Sequence, residues 1–165
     1  MPDANEPLLD AAQAAFIQSG VGLGIAASSA DAVPVHVRAI GCKVAPDRGE
    51  VTVFVSSTQA APLLECMGEE CILAAVFTHP ASHRTLQLKG RRSRVAPCTP
   101  EDLRIVEAYR DAFCAILVPL GFDEKLIRTL LACAPADIVG ISLVPTEAYS
   151  QTPGPKAGER LGRSA

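Results

Sequence analysis

The sequence predicts a small antiparallel β-barrel with helices packed on its outside. Apolar segments of strand character follow one another closely, VGLGIAASS from position 21, VPVHVRAIGCKV from 33 and VTVFVSS from 51, with turn residues between them. The clearest helical periodicity comes much later, from Leu103 to Leu120. Strands and helices therefore do not alternate as they do in parallel sheets. The fold class expected is mainly β with peripheral helices.

Taken in order, Asn5-Glu6-Pro7 and the following LLDAAQAAFIQSG predict a capped first helix, with Pro7 early and Gly20 at its end. A strand from Val21 follows, and then VPVHVRAIGCKV as one second strand. PDRGE, with Asp47-Arg48-Gly49 as turn chemistry, makes a hairpin into VTVFVSS. APLLECMGEE predicts a short helix, and CILAAVF a buried strand by its continuous apolar character. In RTLQLKG, Thr85, Gln87 and Lys89 alternate with Leu86 and Leu88. Thr99-Pro100-Glu101-Asp102 is a strong helix start, with a hydroxyl cap, proline in the first turn and acids behind it. DEKLIRTLLACA gives a second short helix, and DIVGISLVPTEAY the closing strand. Residues 1–150 form a single domain, followed by a Pro/Gly-rich tail over 151–165. By composition alone the tail is a loose terminus.

Several function classes are disfavoured by the totals. At 165 residues, 48% hydrophobic and 20% charged, the chain has the make-up of one ordinary globular domain. Aromatics are 4% with no Trp, and the net charge is −3, so neither base stacking nor long-range attraction to nucleic acid or an acidic membrane is expected. Six cysteines without a CxxC pair read as reduced thiols rather than a zinc site or disulfide scaffold. The acidic N-terminus lacks a signal-like apolar region, and no run approaches the ~18 apolar residues of a spanning helix. Cytoplasmic localisation is the default expectation.

Any anion site must then be local, and three stretches offer one. Arg38 and Lys43 are five positions apart, which in a regular strand puts them on opposite faces. Gly41 lies between them. A glycine bulge there would turn Lys43 to the face of Arg38, letting both meet one phosphate. The plain alternative is two cations at a strand edge in water. Ser56-Ser57-Thr58 follow a strand, where hydroxyls either cap the next helix or hold phosphate. Arg84-Thr85-Leu86-Gln87 includes an amide able to read a heterocycle edge, or simply a solvated strand face. GVGLG lacks GxGxxG spacing, Pro80 opposes a helical His79–His83 metal pair, and GRRSR at 90–94 reads as a solvated charge run. No nucleophile–base pairing stands out, so no catalytic residue is assigned.

In this order, these residues resemble the pyridoxamine 5′-phosphate oxidase-like family, the FMN-binding split barrels, over roughly residues 5–161. The resemblance implies a split β-barrel, antiparallel and Greek-key-like, that forms a homodimer with a cofactor at the interface. It implies Arg38, Lys43, Ser56 and Ser57 at the FMN phosphate and Arg84, Thr85 and Gln87 near the ring. A flavin-dependent oxidoreductase acting on an unidentified small molecule is the function implied. The alternative is a non-catalytic module binding flavin, deazaflavin or haem on the same fold. The tail YSQTPGPKAGERL resembles a recurring ending in one branch, which implies an ordered, extended segment. One departure is clear. Where pyridoxamine phosphate oxidases proper carry a Ser-Arg-Lys clamp, this chain has Ala60-Ala61-Pro62, so that specific activity is not expected.

Overall fold

The computed structural model describes residues 7–28, 33–67 and 71–162. Eight strands form one antiparallel sheet: β1 (Gly22–Ser28), β2 (Val35–Arg38), β3 (Cys42–Val44), β4 (Val51–Ser56), β5 (Ile72–Thr78), β6 (Thr85–Pro97), β7 (Ile138–Ser150) and β8 (Glu159–Leu161). Their order is β2-β1-β5-β6-β7-β4-β3, with β8 added to β7. The long-range pairings β1–β5 and β4–β7 make the arrangement Greek-key-like.

The sheet curls until its two edges meet in one chain segment. β2 pairs with β1 and β3 with β4, and only Ala39-Ile40-Gly41 separates them. Ala39 N–H donates to Leu23 at 2.9 Å, whereas Ile40 N–H donates to Phe54 at 2.8 Å. The ladder thus passes from one edge to the other within two residues. VPVHVRAIGCKV is therefore two short strands, not the single strand its apolar pattern suggests.

Two apolar cores result. Inside the curl, alternate residues such as Leu23, Ile25, Val51, Val53, Val55, Leu73, Ala75 and Phe77 pack together. Helix α1 (Ala11–Ile17) and helix α2 (Ala61–Cys66) contribute Phe16, Ile17 and Leu63 to that same core. On the outside, helix α3 (Pro100–Leu117) and helix α4 (Glu124–Leu130) bury Val106, Tyr109, Phe113 and Ile127 against Ile40, Phe54 and Ile138. Tyr109 stacks on Phe113 with ring centroids 5.7 Å apart and donates its hydroxyl to Val21 O at 3.0 Å.

Three boundaries differ from expectation. The first helix begins at Ala11 because Asp10 caps it, accepting the Gln13 N–H at 2.7 Å while Gln13 Oε1 accepts the Asp10 N–H at 3.0 Å. That reciprocal box outcompetes Pro7 as a start; Asn5 and Glu6 lie outside the described residues. The strand at RTLQLKG runs on through the GRRSR segment to Pro97, with register shifts at Lys89/Gly90 and Arg92/Arg94. Finally, the tail returns as β8, pairing Tyr149 with Arg160. The start of α3 matches expectation: Thr99 and Asp102 form a capping box.

Candidate functional site

Residues directly opposite one another in an antiparallel sheet share a face. Arg38 is opposite Gly24, Gly24 opposite Val76, Val76 opposite Gln87 and Gln87 opposite Tyr149. All five lie on the outer face, since their neighbours Leu23, Ile25, Phe77, Leu86 and Leu88 belong to the inner core. One row over, His36, Ala26, Ala74, Lys89 and Glu147 share that face. The third row is Gly22, Thr78 and Thr85. The centre of the face is therefore a floor of small side chains, and its rims are polar.

Arg38 stands exposed on one rim. Beside it, the His36 ring lies over Gly24, with Nε2 2.1 Å from where a Cβ would be. Gln87 stands on the far rim, three strands away, or about 14 Å at ordinary strand spacing. Its Oε1 accepts from Gln151 Nε2 at 3.0 Å. Thr85 Oγ1 donates to Thr78 Oγ1 at 3.1 Å and lies 3.0 Å from His83 O. Arg84, just before β6, is exposed and stacks over the Phe16 ring at 4.1 Å. Lys89 Nζ lies 5.1 Å from the Tyr149 ring centre, and the Tyr149 hydroxyl donates to Glu147. That bond holds the Tyr149 phenol above its usual pKa.

The other predicted phosphate ligands make bonds within the chain. Gly41 does turn the chain. Ala39 and Cys42, three apart, both enter the inner core, so Arg38 and Lys43 both face outward. The outward Ile40 between them is buried with Tyr109 and Phe54. Lys43 Nζ is bound to Asp102 Oδ1 at 2.5 Å and sits 5.9 Å from the Phe54 ring centre, at the end of α3. Burial of Asp102 opposes its charge, but hydrogen bonds from Lys43 and Thr99 prevail and hold the carboxyl below its ordinary range. Lys43 is thereby committed to a helix cap rather than shared with Arg38. Burial also pushes the Cys42 thiol up to about 12, so it is a packed, protonated group.

Ser56 is likewise bonded within the chain through its hydroxyl, and Ser57 through its backbone N–H. Ser56 is buried at the end of β4, its Oγ accepting the Gln59 N–H at 3.4 Å, and Ser57 N–H donates to Asp137 at 2.7 Å. The N-cap of α2 is Ala60, which makes no side-chain bond, so the hydroxyl run does not cap that helix. The structure thus puts Thr85 and Gln87 on the outer face with Arg38 across it, stacks Arg84 on Phe16 of the inner core, and engages Lys43 and Ser56 in side-chain bonds of their own. Sequence reasoning missed His36, Tyr149 and Gln151. A usable signal was the alternation in GLGIA, where every outward residue is Gly or Ala.

Comparison with solved structures yields matches across nearly the whole chain. An F420 reductase aligns with TM-score 0.51 and 14% identity, covering 90% of this chain and 98% of the other. A Lactobacillus delbrueckii protein, provisionally assigned as a pyridoxamine 5′-phosphate oxidase, gives 0.52 and 14%, covering 90% and 97%. HupZ of Group A Streptococcus gives 0.53 and 11%, covering 91% and 100%. The chain has the split-barrel fold of these proteins. No protein-family profile matches the sequence, and no curated protein does. Among the described residues no helix is long and apolar enough to cross a membrane, and no cluster of three or more His, Cys, Asp and Glu could hold a metal.

Proposed function

We propose that this split barrel binds a flavin nucleotide on its outer face and works as a flavin-dependent oxidoreductase. The observation carrying this reading is the row Arg38–Gly24–Val76–Gln87, a cation and an amide on opposite rims of a small-residue floor. A flat tricyclic ring needs such a floor, because a larger side chain at Ala26 or Ala74 would lift it away, and the exposed His36 ring that lies over Gly24 has to swing aside to admit it. Arg38 offers a fork of donors to a phosphate, and Gln87 offers donor and acceptor capacity to the ring. The residues present fit the group at both ends, although only one of the two expected cations is available for phosphate. Bound there, a flavin would supply the hydride chemistry, while the chain's residues orient it and shape the substrate cleft. FMN is the first candidate, and the likeness to an F420 reductase keeps a deazaflavin beside it.

The same face favours a homodimer. Ile72 is 55% exposed and Val144 45%, both in the outer row that contains Arg91. A second copy laid on this face would cover them and wall in the floor. The test is the visible spectrum of protein purified without refolding and then mixed with FMN, beside its mass by light scattering. A two-band flavin spectrum, or uptake of added FMN, on a dimer is the expected result. A protein that stays colourless and leaves FMN fluorescence unchanged would overturn the reading.

A further inference from the structure

The carboxy-terminal hairpin builds half of a recognition edge. Gln151 lies just past β7, where its N–H donates to Thr85 O at 2.9 Å. Thr85 N–H in turn donates to Thr152 Oγ1 at 2.9 Å, and Gly158 N–H donates to Ser150 O at 2.7 Å, closing the loop that leads into β8. Because Leu86 is opposite Ser150, Gln151 falls opposite Thr85 and shares its outer face. It is the diagonal neighbour of Gln87, within reach across one strand spacing.

The two amides make one bond, Gln151 Nε2 to Gln87 Oε1 at 3.0 Å. Among the described residues no side chain takes the reciprocal pair, Gln87 Nε2 and Gln151 Oε1. One amide nitrogen and one amide oxygen are therefore left without a partner at the edge of the floor. Exchanging O and N in both amides swaps their roles but still leaves one of each. We propose that Gln87 and Gln151 together read a cyclic imide, the CO–NH–CO edge of a flavin or deazaflavin ring. Gln87 donates to a ring carbonyl, and Gln151 accepts from the ring N–H. This deepens the flavin reading and rests on it. It also separates the cofactors considered above, because haem has no such edge. The tail then belongs to the binding site, not to a dispensable terminus.

The test compares FMN with 3-methyl-FMN, in which a methyl group replaces the imide hydrogen, by fluorescence quenching on the full chain. Methylation should weaken binding roughly ten-fold, since it removes a donor and leaves the Gln151 oxygen unmet. Gln151→Met should bind FMN about ten-fold more weakly and no longer distinguish the two ligands. Equal binding of both ligands by the wild type, or full discrimination by Gln151→Met, overturns the role of Gln151 while leaving flavin binding intact. If Gln151→Met does not fold, the wild-type comparison decides alone. Failure of the wild type to bind FMN at all overturns the flavin reading and this inference with it.

Discussion

Lys43 and Arg38 show how much a single side chain's fate depends on partners remote in sequence. That both point outward was legible, because a glycine between them could add one residue to the strand. Gly41 does so at φ +145°, a conformation that L side chains rarely adopt. That Lys43 would be taken by Asp102 was not legible, since the two are 59 positions apart. Asp102 both completes the α3 capping box and holds the cation. Asp102→Ala should therefore cost about 2 kcal/mol of stability in urea denaturation. The pH dependence has a definite sign. The folded-state carboxyl titrates below its unfolded value, so its contribution is fully present above about pH 4 and is lost as pH falls through the folded value. Denaturation midpoints measured down this range should fall more steeply for the wild type than for Asp102→Asn.

Elements with strong local signals were read well, and those set by distant pairing were not. The α3 start is written into Thr99, Pro100 and Asp102. By contrast, nothing local to GRRSR announces a strand, because β6 is extended there by pairing with β7 at Val144, Leu143 and Ser142. Its entry into that stretch depends on Gly90, where the register shifts. A Cβ at Gly90 would lie 2.1 Å from Val144 O and 3.0 Å from Pro145 Cα, both backbone atoms that cannot simply rotate away. Gly90→Ala should cost about 1–3 kcal/mol by forcing the strands apart. Thermal or urea unfolding checks it, and an unchanged midpoint would mean that the bulge yields freely. β8 was not legible locally for a related reason: its pairing with β7 follows a turn through Pro153, Gly154 and Pro155, residues that suggest no strand, and an ordered tail was implied by the resemblance alone.

At the scale of the whole molecule, the closely spaced strands specified a barrel, and the resemblance supplied its split form. The division of the outer face into a helix-covered half and an open half was beyond the sequence. It follows from where α3 and α4 dock, over Phe54, Ile40 and Ile138. That docking removes Lys43 from the open half, whose rim keeps Arg38 and the Gln87–Gln151 pair. On the function proposed here, Arg38 anchors the phosphate of a flavin lying across this floor. The most direct test is the affinity of FMN against riboflavin, which lacks the phosphate, for the wild type and Arg38→Ala. Charge-assisted bonds contribute about 1.5–3 kcal/mol, so the wild type should prefer FMN by roughly ten-fold or more, and Arg38→Ala should lose that preference while still binding riboflavin. An FMN preference that survives Arg38→Ala unchanged would place the phosphate elsewhere and contradict the account.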